Sequence, residues 1–217
     1  YIERLGIPKE KIVWIPNGVD LRYFANIRPY EGGNSHKFTF MYLGGHAPHL
    51  GLDVILDSAK ILQDAGEHRI HFVFVGDGME KTRLVQRSID LGLRKVEFRD
   101  AVPKGELYKS MEQADGLICH FRDLPLLRYG SSMFKIFDYL ASSRPIIYAV
   151  SGRNNPVKEA NAGITIPPED SASMAKALKD MVDMSPEDRI QLGKNGYNHV
   201  KAHYNISTLA GLMERML

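Results

Sequence analysis

Six short apolar runs recur along the chain, at Phe38 to Leu43, Ile70 to Val75, Val96 to Phe98, Gly116 to His120, Pro145 to Val150 and Gly163 to Ile166. Between them lie stretches with a different period. Leu52, Ile55, Leu56, Ala59 and Leu62 repeat at the spacing that gathers side chains on one face of a helix. Leu84 to Leu91, Leu107 to Met111 and Met174 to Met181 behave in the same way. Short buried strands alternating with helices of this length predict βα units and a parallel sheet. Right-handed crossovers make a doubly wound sandwich of it, so the expected fold is α/β, a Rossmann-like parallel sheet of about six strands. After Ile166 the pattern turns helical. Ser185, Pro186 and Asp188 supply an N-cap, a first-turn proline and a capping partner, and two C-terminal helices are expected to finish the chain.

Polar, glycine-rich RPYEGGNSHK (Arg28 to Lys37) reads as a loop leading into the first strand. The expected organisation is an entry segment over 1–37, a Rossmann-like domain over 38–194 and a helical tail over 195–217. There is no internal repeat beyond the βα alternation.

Composition narrows the classes. The chain has 217 residues, 44% hydrophobic and 25% charged, enough for a full core. Its 28 basic and 26 acidic residues leave a net charge of +2 without a long run of one sign, so no nucleic-acid surface is expected. The single cysteine, Cys119, lies in an apolar run and cannot form an internal disulfide, which fits a reducing, cytoplasmic setting. No apolar run approaches the roughly 20 residues needed to span a bilayer. The chain opens on Tyr1, which suggests a piece of a longer protein.

In an open parallel sheet, ligands gather at the carboxyl ends of the strands. Those ends run into Gly44, Gly45 and His46, then Gly76, Asp77 and Gly78, then Asp100, Ala101 and Val102, and then His120 and Phe121. Glycines there admit a ligand where a Cβ would block it, although tight strand-to-helix turns account for them equally well. The G-x-G-x-x-G fingerprint is missing, which disfavours an NAD enzyme. His46 and His49, like His68 and His71, lack a third ligand at a recognisable spacing, so no metal site is expected. His46 stands at a strand end, where it is a candidate donor to a phosphate or sugar oxygen. No G-x-S-x-G elbow supports hydrolase chemistry.

The segment SSMFKIFDYLASSRPIIYAV, Ser131 to Val150, carries the sharpest hypothesis. If Ser132 to Ala141 is helical, Ser131 and Ser132 lie at an N-terminus whose free N–H groups and dipole favour a phosphate. Lys135 adds a positive charge. Asp138 shares its face at i+3, suited to a ribose hydroxyl. The bland alternative is a solvated i,i+3 ion pair.

Taken together, IPNGVD (Ile15 to Asp20), YLGGHAPHLGLDVILDSAKIL (Tyr42 to Leu62), FVGDGMEKTRL (Phe74 to Leu84) and KIFDYLASSRPII (Lys135 to Ile147) resemble retaining glycosyltransferases of family four. The resemblance is to the C-terminal half of their GT-B architecture, which binds the nucleotide-sugar donor; the acceptor half is not represented. It implies that Asp138, matching the second acid of the E-x7-E motif, accepts from the ribose. It implies that Lys135, Ser131 and Ser132, resembling an S-P-x-K variant, hold the phosphates, that Asp100 to Val102 meet the base, and that Gly44 to His46 flank the diphosphate. The tail from Asn195 to Leu217 resembles the helix that packs across the interdomain cleft. Departures are informative. Gly130 replaces the first acid, and Gly45 and Leu50 replace the basic pair of the first loop, leaving Lys135, with Arg128 or Arg153, to neutralise phosphate.

The resemblance therefore implies a metal-independent enzyme that moves a sugar from a nucleotide diphosphate donor, of UDP type, to a glycan or lipid-linked acceptor. No bound cofactor is implied, and contact with the inner membrane face is expected only as peripheral contact of the longer protein. Two other readings stay open: a nucleotide-binding module of the same fold without catalysis, favoured by Gly130, and a sugar-nucleotide epimerase.

Overall fold

A computed structural model describes residues 6–34, 36–131 and 133–214. Six strands, β1 (Phe38–Leu43), β2 (Ile70–Val75), β3 (Val96–Arg99), β4 (Gly116–His120), β5 (Ile146–Ala149) and β6 (Gly163–Thr165), form one parallel sheet in the order β3-β2-β1-β4-β5-β6. β1 pairs with β2 along its whole length, from Phe38 opposite Ile70 to Leu43 opposite Val75. On its other side it meets β4, with Phe40 opposite Gly116. The strand order therefore reverses between β1 and β4.

Successive side chains of a strand point to opposite faces, so each strand feeds two cores. Phe38, Phe40 and Tyr42 of β1 join Phe72 and Phe74 of β2 on one face, with Ile55, Leu56, Leu62, Met174 and Leu178 above them. Met41, Leu43, Val73 and Val75 enter the other, with Tyr108, Ile136, Leu140, Val157 and Val200. Helices α1 (Asp53–Asp64), α2 (Lys81–Asp90) and α6 (Ser171–Asp183) cover the first face. Helices α3 (Lys104–Ser110), α4 (Phe134–Ala141), α5 (Pro156–Ala160) and α7 (Pro186–His203) cover the second. This is the expected doubly wound Rossmann-like sandwich.

Three differences from the sequence reading have physical causes. α4 begins at Phe134 with the extended Met133 as its cap, two residues later than expected. Gly130 at φ 112° is in a conformation that favours glycine, and Asn154 grips the backbone of Ser131 through both its N–H (2.7 Å) and its carbonyl, which keeps the chain out of the helix. Ser132 lies outside the described residues. Second, among the described residues three helices follow Ile166, because α7 stops at Tyr204 and α8 (Ile206–Glu214) starts afresh behind Asn205, whose side chain accepts from the Ser207 N–H. Third, the break is held by the entry segment. Val19 N–H donates to the Tyr204 carbonyl at 2.8 Å, and the Ile206 N–H donates to the Val19 carbonyl at 3.0 Å.

Arg189 of α7 is fully buried. It donates to the carbonyls of Gly32, Val182 and Met184, tying the entry loop to the C-terminal end of α6. No helix among the described residues is long and apolar enough to cross a membrane.

Candidate functional site

A cavity of about 680 Å³ opens where the strand order reverses, at the carboxyl ends of β1 and β4. Its size falls within the range of small-molecule sites. Leu43, Gly44 and Gly45 form one wall, Leu107 and Tyr108 of α3 another, and the start of α4 the floor. Gly18 and Val19 of the entry segment and Ile206 of α8 close the rim.

Lys135 is anchored from beneath. Its ammonium donates to the Tyr42 hydroxyl at 2.7 Å and stands 4.1 Å from the Tyr42 ring centroid. Tyr42 in turn donates to the Gly45 carbonyl at 2.7 Å. Gly44 has φ 138°, a conformation that favours glycine, and a Cβ there would lie 2.7 Å from the Lys135 nitrogen and displace the lysine. Tyr139 braces the same loop by accepting from the Leu43 N–H and donating to the Leu43 carbonyl. Burial draws the Lys135 pKa down to about 8.

Asp138, one turn further along α4, also lines the cavity and is half-buried. Its carboxylate has no hydrogen-bond partner among the described residues. Burial pushes its pKa up to about 6, against a smaller opposing pull from Lys104. Lys135 and Asp138 therefore do not form the i,i+3 ion pair of the bland alternative. One is turned to a tyrosine, and the other lines the cavity without a hydrogen-bond partner among the described residues. Met133 offers no side-chain cap to the start of α4, where the Ile136 N–H donates to the Met133 carbonyl at 3.3 Å.

The remaining expected residues divide. Gly44 and Gly45 lie on the wall with Lys135 and Asp138. Gly76, Asp77 and Gly78 do not. A Cβ on Gly76 would come within 2.0 Å of the Gly44 carbonyl, and one on Gly78 within 2.5 Å of the His46 carbonyl, so these glycines let two strand-end loops pack together. The Asp77 side chain caps the Gly78 N–H, and its carbonyl accepts from the His46 N–H.

His46 is fully buried among Tyr42, Phe74 and Phe98 with neither ring nitrogen bonded, and it does not line the cavity. The exposed imidazole on the wall is His49, tilted against Phe121 at 5.1 Å. Asp100 is fully exposed and paired with Lys81 at 2.7 Å, and Val102 packs against the core. The wall beyond β3 is formed instead by Lys104, Leu107 and Tyr108, just downstream of Ala101. The backbone of Ser131 is held by Asn154.

Tyr42, Tyr139 and His49 were not singled out from the sequence as site residues. Strand alternation marked Tyr42 only as buried, since its partner lies 93 residues away. Among the described residues no group of three His, Cys, Asp or Glu is placed to hold a metal ion. His120, fully buried at the end of β4, bridges two loops: its Nδ1 lies 2.6 Å from the Leu50 carbonyl, and its Nε2 accepts from the Glu169 N–H at 3.1 Å. It shapes the cavity from behind.

Residues 37–184 match the profile of the family glycosyl transferases group 1. The α-D-kanosaminyltransferase of Streptomyces kanamyceticus is 27% identical over 177 residues, covering 79% of this chain and 44% of that protein. The chain thus spans less than half the length of this relative. Among solved structures, the C-terminal domain of a group 1 glycosyl transferase family protein, LpcC from Francisella tularensis, superposes with a TM-score of 0.68 at 19% identity, over 87% of this chain and all of that one. Anabaena HepE, solved in complex with UDP, gives 0.75 at 16% identity, over 98% of this chain and 59% of that one. At these identities the solved structures establish the fold.

Proposed function

The chain belongs to the glycosyl transferases group 1 family, and from that membership we propose that it is the donor-binding half of a retaining, metal-independent glycosyltransferase. In this reading it holds a nucleotide diphosphate sugar, of UDP type, for transfer to a glycan or lipid-linked acceptor bound by a partner half. One observation carries the reading. At the sheet's switch point a lysine anchored on Tyr42 and an unpartnered carboxylate, Asp138, lie one turn apart on a wall of the same cavity. The solved complex of Anabaena HepE with UDP adds support through its shared fold.

The ammonium and the first turn of α4 stabilise negative charge by fixed electrostatics, as a departing diphosphate requires. Asp138 accepts from a ribose hydroxyl one turn away. Because burial penalises both charges, a ligand that supplies the opposite charge to Lys135 and hydroxyls to Asp138 relieves both.

Calorimetric titration of the chain with UDP, GDP and ADP tests the proposal. One base is expected to bind, and Lys135→Ala is expected to weaken that binding; equal affinity of Lys135→Ala and the native chain would remove Lys135 from the site. Gly130 favours a second reading, a module of this fold without catalysis, since its φ of 112° strains any side chain there and a Cβ would press on the Asn154 oxygen at 3.2 Å. Absence of binding by all three nucleotides would favour that reading.

A further inference from the structure

A second groove, about 440 Å³, lies against residues 129–131, and the lining of the first cavity includes Met133. One residue lies between Ser131 and Met133 in the chain, so their Cα atoms are at most about 7 Å apart. The groove is lined by Trp14, Tyr129, Gly130, Ser131, Arg153 and Asn154. Trp14 and Tyr129 are 70% and 72% exposed, unusual for large aromatic side chains. The floor between them is rigid. Asn154 holds both backbone groups of Ser131, and Gly130 exposes bare backbone where a side chain would be strained.

Charge in this groove has one sign. No carboxylate lines it among the described residues. Arg153 is exposed and has no hydrogen-bond or ion-pair partner among the described residues. Neighbouring Arg128 lies 4.8 Å over the Tyr129 ring and is likewise without an acid. Elsewhere on this surface Arg22, Arg69, Arg83, Arg87, Arg99 and Arg122 pair with acids, whereas exposed Arg28 and Arg94, like Arg153, have no ion pair among the described residues.

The order of groups along α4 gives the groove a place on the ligand. The nucleoside end belongs beside Asp138 and the diphosphate beside Lys135, about 4.5 Å back along the axis. The group attached beyond the diphosphate then extends past the start of the helix, toward Ser131 and Gly130. We propose that this groove receives the sugar of the donor and that the sugar is anionic, a hexuronate, its ring stacked against Trp14 or Tyr129 and its carboxylate paired with Arg153. The proposal rests on the donor-binding reading. An aromatic face accommodates the apolar side of a pyranose, and a planar guanidinium matches a carboxylate in two-point geometry.

Calorimetry on the 217-residue chain with UDP, UDP-glucose and UDP-glucuronate tests it, with GDP, GDP-mannose and GDP-mannuronate in their place if guanine is the preferred base. The acidic sugar nucleotide is expected to bind about fivefold tighter than the neutral one, the discrimination one solvent-facing ion pair supplies. Arg153→Gln should bring the two to equal affinity, and Trp14→Ala should weaken both. Equal or tighter binding of the neutral sugar overturns the proposal while leaving the donor-binding reading intact. An equal loss of UDP affinity in Arg153→Gln makes Arg153 a phosphate contact and also overturns it. Failure of every nucleotide to bind removes both readings together.

Discussion

Replacing Lys135 by methionine should make the protein more stable and its nucleotide binding weaker, and the two effects come from the same charge. Burial draws the Lys135 pKa from 10.5 to about 8. Below pH 8 the native state therefore holds a charged ammonium that the unfolded chain holds more easily, and this costs roughly 3 kcal/mol at neutral pH. Against that stands the hydrogen bond to Tyr42, about 1 kcal/mol. Methionine fills a similar volume without the charge, so Lys135→Met is expected to gain about 2 kcal/mol, or about 4–8 °C in melting temperature for a chain of this size.

The sign of the pH dependence comes from the depressed pKa. The gain is full below about pH 8 and vanishes as pH rises toward 10.5, where the native lysine is neutral in both states. Loss of a charge-assisted contact to diphosphate costs about 1.5–3 kcal/mol, which is about 10–150-fold in affinity. Thermal melts at pH 7 and pH 10, paired with UDP titration at pH 7, measure both halves. A variant that melts lower than the native chain at pH 7, or that binds UDP equally well, would refute the argument.

Three further outcomes are expected. Asp138 has its pKa raised to about 6, so its carboxylate form, the stronger acceptor for ribose hydroxyls, is lost as pH falls through 6; nucleotide affinity should drop there, and Asp138→Asn should flatten that limb in titrations from pH 5 to 7.5. Because a raised carboxyl pKa weakens folding as pH rises, the same variant should also melt higher than the native chain at pH 7. Gly76→Ala forces a Cβ to 2.0 Å from the Gly44 carbonyl at φ 148°, and should lose roughly 3 kcal/mol or more by urea denaturation, lowering nucleotide affinity by shifting the Gly44 loop. His46→Phe removes two buried, unpartnered ring nitrogens from an aromatic setting; it should be neutral or stabilising by about 1–2 kcal/mol, with UDP affinity retained, and a large loss of affinity would return His46 to the site.

Features that depend on local pattern were legible in the sequence. All six strands, the glycine turns after β1 and β2, and helices α1, α2, α3, α4 and α6 follow from period and composition, because a buried strand or an amphipathic helix records its surroundings in its own residues. Lys135 and Asp138 were also legible, since their i,i+3 spacing on a short helix is a local fact. The start of α4 was misplaced because it is decided by Asn154, 23 residues downstream, and by the positive φ of Gly130. His46 was expected to face a ligand from its strand end, but it is buried and His49 is exposed, since the Asp77 carbonyl accepts from the His46 N–H and holds it at the sheet edge.

The chain by itself thus determined a parallel α/β sandwich and the helix that carries a cation and an acid. Only the tertiary structure decided where those two groups sit and what they touch. It set the Lys135 ammonium over Tyr42 beneath Gly44 and left Asp138 without a hydrogen-bond partner in a cavity at the strand reversal. It also gathered Trp14, Tyr129 and Arg153 from three distant segments into one groove. The reason is range. Periodicity reports which way a side chain faces along its own element, whereas partners, burial and the direction of an unpaired charge are set by elements brought together from tens of residues away.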